Sequence, residues 1–134
     1  MFNLMTWTNS LEKLKLKKMK HFTLEEFDSP DQPGSGKHMK KEFLEMIEEA
    51  RDIAGIPFKI NSGFRTRTHN EMVGGRVGSS HLAGCAADIH CTNSGNRIKI
   101  INALVAAGFN RIGIASSFIH CDNDITKNPA LWLY

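Results

Sequence analysis

Apolar side chains recur at helical spacing between residues 39 and 54: Met39, Phe43, Met46, Ile47, Ala50 and Ile53/Ala54. Lys40, Glu45, Glu48, Glu49 and Asp52 take the intervening positions. This pattern predicts an amphipathic helix over 39–54, stopped by Gly55 and Pro57. A second long helix is expected over 96–107, with Ser94 as its cap, Ile98, Ile101, Leu104 and Val105 turned inward, and Gly108 closing it. Elsewhere the period is two. Phe58–Asn61 reads as a short strand. Ala86–Cys91 reads as a longer one, with Ala87, Ile89 and Cys91 on one face and Ala86, Asp88 and His90 on the other. Arg111–Ala115 and Phe118–Asp122 form a predicted hairpin around Ser116-Ser117.

The connecting stretches carry their own signals. Thr23 and Glu26 have capping-box spacing and predict a short turn of helix, after which Pro30, Pro33, Gly34 and Gly36 predict an irregular surface loop. Thr68 and Glu71 repeat the box and predict a short helix over 69–73, ended by Gly74-Gly75. A loop over 76–80 leads to a helical turn at His81–Cys85, and the tail ending Leu131-Trp132-Leu133-Tyr134 is expected to pack back on the domain. Together these elements predict an α+β fold: a small, mainly antiparallel sheet with helices packed on one side.

A chain of 134 residues with 41% hydrophobic and 23% charged content suits one domain with one modest core. The net charge of +3 is concentrated at the start. Lys13, Lys15, Lys17, Lys18 and Lys20 stand against Glu12 alone, which leaves twelve basic and thirteen acidic side chains over residues 21–134. That balance excludes a nucleic-acid binder by electrostatic footprint. No apolar run is long enough to span a membrane, and the start lacks the order of a secretory signal. The expected organisation is an extension over 1–18 and a domain over 19–134, monomeric and cytoplasmic as made, with a site of action in the periplasm or cell wall. Cys85, Cys91 and Cys121 lack CxxC spacing, so they are read as buried reduced thiols, with a Cys91–Cys121 bridge open only if their strands are neighbours.

The chemistry concentrates in two stretches, Ser79–Asp88 (SSHLAGCAAD) and Phe118–Asp122 (FIHCD). Alternation puts Asp88 and His90 on one strand face, and His120 and Asp122 on one face of the other. If these strands pair, Asp88 and His120 converge, and His81 reaches them from the preceding turn. Two imidazoles and one carboxylate suit a single Zn²⁺ that keeps a position for water, acidifies it and polarises a carbonyl, as amide hydrolysis requires.

The SGFRT segment at residues 62–66, the SxHxxGxAxD segment and the FIHCD segment, in this order, resemble the D-alanyl-D-alanine carboxypeptidase family of zinc peptidases. That family shares a fold with hedgehog signalling domains and vancomycin-resistance dipeptidases. The resemblance covers roughly residues 20–124 and is strongest to small bacterial and phage peptidoglycan peptidases. It implies His81, Asp88 and His120 as ligands of one zinc ion, and Arg65 in the cleft as a partner of the oxyanion or of a substrate carboxylate. It also gives Ser79 a bond to Asp88, and Asn70 the task of pinning the loop after SGFRT. Many relatives carry an acid or histidine just before the last zinc histidine, where this chain has Ser117 and Phe118. Asp122 is therefore the first candidate for proton transfer or for orienting a ligand histidine, and His90 the second. The implied activity is zinc-dependent hydrolysis of an amide bond in peptidoglycan stem peptides beside a D-amino acid. The rival expectations are a zinc-binding module without catalysis and a phage structural or lysis component.

Overall fold

In the computed structural model, which describes residues 19–134, five strands form one sheet in the order β1-β2-β4-β3-β5. They are β1 (Ile60–Ser62), β2 (Ala86–His90), β3 (Arg111–Ile114), β4 (Phe118–Asp122) and β5 (Ala130–Leu133). Neighbouring strands run antiparallel except β5, which lies parallel to β3. Among the described residues three α-helices accompany them: α1 (Lys41–Ala54), α2 (Arg67–Met72) and α3 (Ser94–Ala106). The fold is thus α+β, as the pattern predicts. The expected 1–18 extension lies outside the described residues. Among the described residues, no helix is long and apolar enough to cross a membrane.

Alternation along the strands divides the sheet into two chemistries. Ala87, Ile89, Ile112, Ile119 and Cys121 point into a core shared with Phe43, Leu44, Ile47 and Ala50 of α1 and Ile100, Ala103 and Leu104 of α3. The opposite face carries Asp88, His120 and Asp122, which frees it for chemistry while the helices close the first face. The aromatic rings of Phe22, Phe27, Phe43 and Phe109 meet edge to face or tilted at 5.5–6.4 Å between centroids, joining the opening turn to this core.

Several local expectations shift. The short helix α2 is capped by Thr66 rather than Thr68: Thr66 Oγ1 accepts from the His69 N–H at 3.1 Å and donates to Asp31 at 2.6 Å. A long-range partner decides between two threonines that local spacing cannot separate. Likewise Asn93, not Ser94, caps α3, accepting from the Asn96 N–H at 2.8 Å. On α3 both sides are apolar, and the buried side is Ile100, Ala103, Leu104 and Ala107, while Ile98 and Val105 are exposed. On α1 Leu44 is buried and Ile53 exposed.

The stretch after Asp28 is more ordered than a surface loop. Ser29, Ser35 and Gly36 are buried, and the Asp28 carboxylate accepts from the Gly34 and Gly36 N–H groups at 3.0 and 2.6 Å. The tail does return to the domain, as the edge strand β5. All three cysteines are buried and free, and a Cys91–Cys121 bridge is not formed. Cys121 pairs with Ala87 across the ladder while the Cys91 N–H bonds to the carbonyl of Ser117, just before β4 and four residues from Cys121.

Candidate metal centre

The β2–β4 register sets Asp88 directly opposite His120. Continued outward, the same cross-strand row reads Ser62, Asp88, His120, Gly113 and Trp132, one residue from each strand. Side chains of directly paired residues on one face are within contact range, so this row is the skeleton of the site. His81 joins it from the turn at 80–84, where the His81 carbonyl accepts from the Gly84 N–H at 3.3 Å and from the Arg65 N–H at 3.2 Å. Gly84 makes that turn possible: its φ is +72°, and a Cβ there would sit 2.3 Å from the His38 carbonyl oxygen.

One donor atom each from His81, Asp88 and His120 lies within 4.8 Å of the others, and all three residues are buried. The bonding around them selects which atoms face inward. His81 Nδ1 donates to the Gly63 carbonyl at 2.8 Å, which fixes the tautomer and leaves the Nε2 lone pair 3.4 Å from Asp88 Oδ1. His120 Nδ1 lies 3.0 Å from the same oxygen. Asp88 turns its other oxygen, Oδ2, to Arg65 Nη2 at 3.2 Å. Two imidazoles, that of His81 with its tautomer fixed and that of His120 held between two carboxylates, and one carboxylate oxygen form a donor set of the N/N/O type suited to a divalent transition metal with room for further ligands. The thiols are not competitors: burial pushes Cys85 up to about 11 and Cys121 well above its ordinary range, keeping both protonated.

The other predicted residues take definite places. Asp122, 1% exposed, holds His120 from the far side, its Oδ2 2.7 Å from Nε2. Its Oδ1 accepts from Arg111 Nε at 2.7 Å and from the Asp124 N–H at 3.2 Å. Arg65 donates to Ser62 Oγ, Asn70 Oδ1 and Asp88 Oδ2, so it braces the carboxylate of the candidate centre. Asn70 is 2% exposed and donates to the Arg76 carbonyl at 2.8 Å, pinning the loop as expected. Ser79 is not brought to Asp88: its hydroxyl accepts from the His81 N–H at 3.2 Å, inside the ligand turn. His90 is exposed, at the end of β2 opposite Phe118, and is not brought to the metal residues. Ser117 is exposed, and Phe118 packs on Tyr134 with centroids 5.1 Å apart.

The buried charges balance one another. Burial alone would raise Asp88 and Asp122, but hydrogen bonds from the histidines outweigh it and hold both below the ordinary carboxylate range. Burial alone would lower His120, but Asp122 and Asp88 together hold it above the ordinary histidine range. Each shift sets a limit on metal-free stability. The aspartate contributions are present above about pH 3.9 and disappear as pH falls through the lowered folded values. The His120 contribution is complete below about pH 6.5 and is lost as pH rises through the raised folded value. Urea unfolding in chelator should therefore show maximal stability between about pH 4 and 6.5. A metal-free protein more stable at pH 8 than at pH 5 would contradict this balance.

A cleft of about 890 Å³ opens over His81 and His120. Its walls include residues that the sequence motifs do not mark: Arg76, Arg111, Lys127, Trp132 and Tyr134. Lys127 Nζ donates to the Gly78 carbonyl at 2.7 Å and to Ser80 Oγ at 2.8 Å, tying the segment after β4 to the ligand turn. Arg111 shares the alternation of β3 with Gly113, and that was the available signal; the pairing of β5 with β3 had none.

A family model described as Peptidase M15 matches residues 13–122, a stretch that contains every residue of the cross-strand row except Trp132. No curated protein matches the chain. With the match spanning most of its length and the His-Asp-His set assembled at the end of it, the chain belongs to the Peptidase M15 family of zinc D-Ala-D-Ala carboxypeptidase-like metallopeptidases.

Proposed function

We propose that the protein is a zinc-dependent peptidase that hydrolyses an amide bond in peptidoglycan stem peptides beside a D-amino acid, as a D,D-carboxypeptidase or an endopeptidase. The observation that carries this reading is the convergence of His81, Asp88 and His120 beneath an open cleft in a member of this family. The donor set fits the ion: His81 Nε2 and Asp88 Oδ1 are already turned inward, and His120 Nδ1 becomes a donor on losing its proton. Zn²⁺ held there would act as a Lewis acid on the scissile carbonyl and bring the pKa of water near ~7.

The protein's own residues do the rest. His81 and His120 keep fixed ring orientations through Gly63 and Asp122. Arg65 neutralises the outer oxygen of Asp88 and keeps the inner one aimed into the centre. Asp122 is the sole carboxylate among the described residues that line the cleft, and it is committed to His120 and Arg111. We therefore assign it to orienting His120, and proton transfer to solvent within the cleft.

That same commitment favours a second reading, a zinc-binding module that does not cleave. Incubation of purified muropeptides with zinc-loaded and chelator-treated protein, followed by mass spectrometry, separates the two. The peptidase reading predicts shortened stems only with metal. Stoichiometric zinc without any cleavage would establish the binding module in its place.

A further inference from the structure

The site is asymmetric in a way the metal residues do not explain. Trp132 on β5 ends the cross-strand row, beyond residue 122 where the family match stops. Its ring lies 5.3 Å from that of His120 and 6.3 Å from that of Tyr134, and the Arg111 guanidinium sits 5.3 Å above it. The position is built, because Gly113 lies between His120 and Trp132 in the row and a Cβ there would fall 2.5 Å from the indole. Glycine on β3 therefore lets the indole lie down across the sheet toward the ligand histidine. Trp132 is half-buried and Tyr134 exposed, and both line the cleft. The cleft also takes in Gly74, Gly75 and Gly78, which offer backbone and no side chains.

We propose that Trp132, with Tyr134 beside it, is the specificity-determining surface of the cleft. An extended peptide would run over the ligand histidines, with the side chain next to the scissile bond packed on the indole and its backbone open to the glycine-bearing segment. A rigid ring loses little conformational freedom on binding and offers a large contact area, which makes it an effective anchor for a small apolar group. Arg111 keeps the indole flat by stacking on it and at the same time holds Asp122, so the platform and the metal ligand share one brace. The inference rests on the peptidase reading for its ligand class, a short peptide with a small apolar side chain at the cut.

The test is a set of zinc-loaded full-length variants assayed on a stem pentapeptide ending in D-Ala-D-Ala. Trp132→Ala should raise KM about tenfold and leave kcat within about threefold, with zinc affinity unchanged. Trp132→Phe, which keeps a ring on Gly113, should restore KM to within about threefold, and Tyr134→Ala, which leaves that packing alone, should raise KM about threefold. Binding is read separately: in a Trp7→Phe background, which leaves Trp132 as the single tryptophan, the peptide should change the indole fluorescence. Peptide that shifts this fluorescence without being cleaved supports the platform and defeats the D,D-carboxypeptidase form of the hydrolytic reading. Cleavage with normal KM in both alanine variants overturns the platform and leaves the hydrolytic reading standing. A fall in zinc affinity and kcat together for Trp132→Ala also overturns it, since the indole would then serve only to hold His120. A peptide that neither binds nor is cut defeats both.

Discussion

Under the proposed function, replacing His81 or His120 by alanine, or Asp88 by asparagine, should remove metal binding and stem-peptide cleavage together. Partners that merely orient a ligand typically contribute 10–100-fold to metal affinity, so loss of a ligand itself should cost more than about a hundredfold. Activity should fall by about a thousandfold or more, corresponding to ~4 kcal/mol of transition-state stabilisation. The three variants should differ in stability, because each leaves a different buried group behind. His120→Ala sets Asp88 and Asp122 in one pocket without the imidazole that both now bond, leaving Arg65 on the first and Arg111 with the Asp124 N–H on the second. His81→Ala strands a single carbonyl, that of Gly63. Asp88→Asn keeps the shape but leaves Arg65 without its carboxylate. The expected order of destabilisation without metal is His120→Ala first, then Asp88→Asn, then His81→Ala. Calorimetric zinc titration and thermal melts of the same preparations check both parts. Tight zinc binding by His120→Ala would remove the basis for the centre.

Much of this centre was legible before any fold was known, and the reason is local. Alternation on a strand fixes which side chains share a face, so Asp88 with His90 and His120 with Asp122 follow from spacing alone. What spacing does not give is register. It does not reveal that Asp88, rather than His90, faces His120, nor that His90 falls at the strand end opposite Phe118. The caps show the same limit: Thr66 and Thr68, or Asn93 and Ser94, are equivalent to a local rule, and only Asp31, 35 residues from Thr66, separates the first pair. The aromatic wall was least legible. Its strand pairs parallel to β3 on the side away from β4, although β4 separates the two in the sequence, a relation between distant segments with no trace in composition or period.

Asp122→Asn should lower both kcat and zinc affinity by about 10–100-fold, the range for a partner that holds a ligand histidine. The geometry requires the two losses to move together. Asp122 Oδ2 meets His120 at Nε2, the ring nitrogen opposite the one that faces Asp88, so its influence on the centre passes through the ring. An asparagine retains one acceptor, yet its amide must turn an N–H toward either His120 or Arg111, each of which now meets a carboxylate oxygen. Ring orientation and donor strength both suffer. A residue acting as general base would behave differently: its loss would remove the acid limb of the pH–rate profile and lower kcat about a thousandfold, with zinc affinity intact. Arg111→Met supplies the control, since it leaves Asp122 on His120 while removing the second brace of the carboxylate. It should give a smaller loss in the same direction, again with zinc affinity and kcat falling in step. If Asp122→Asn binds zinc normally yet fails to turn over, the carboxylate transfers the proton itself, and the assignment of Asp122 to orienting His120 is wrong.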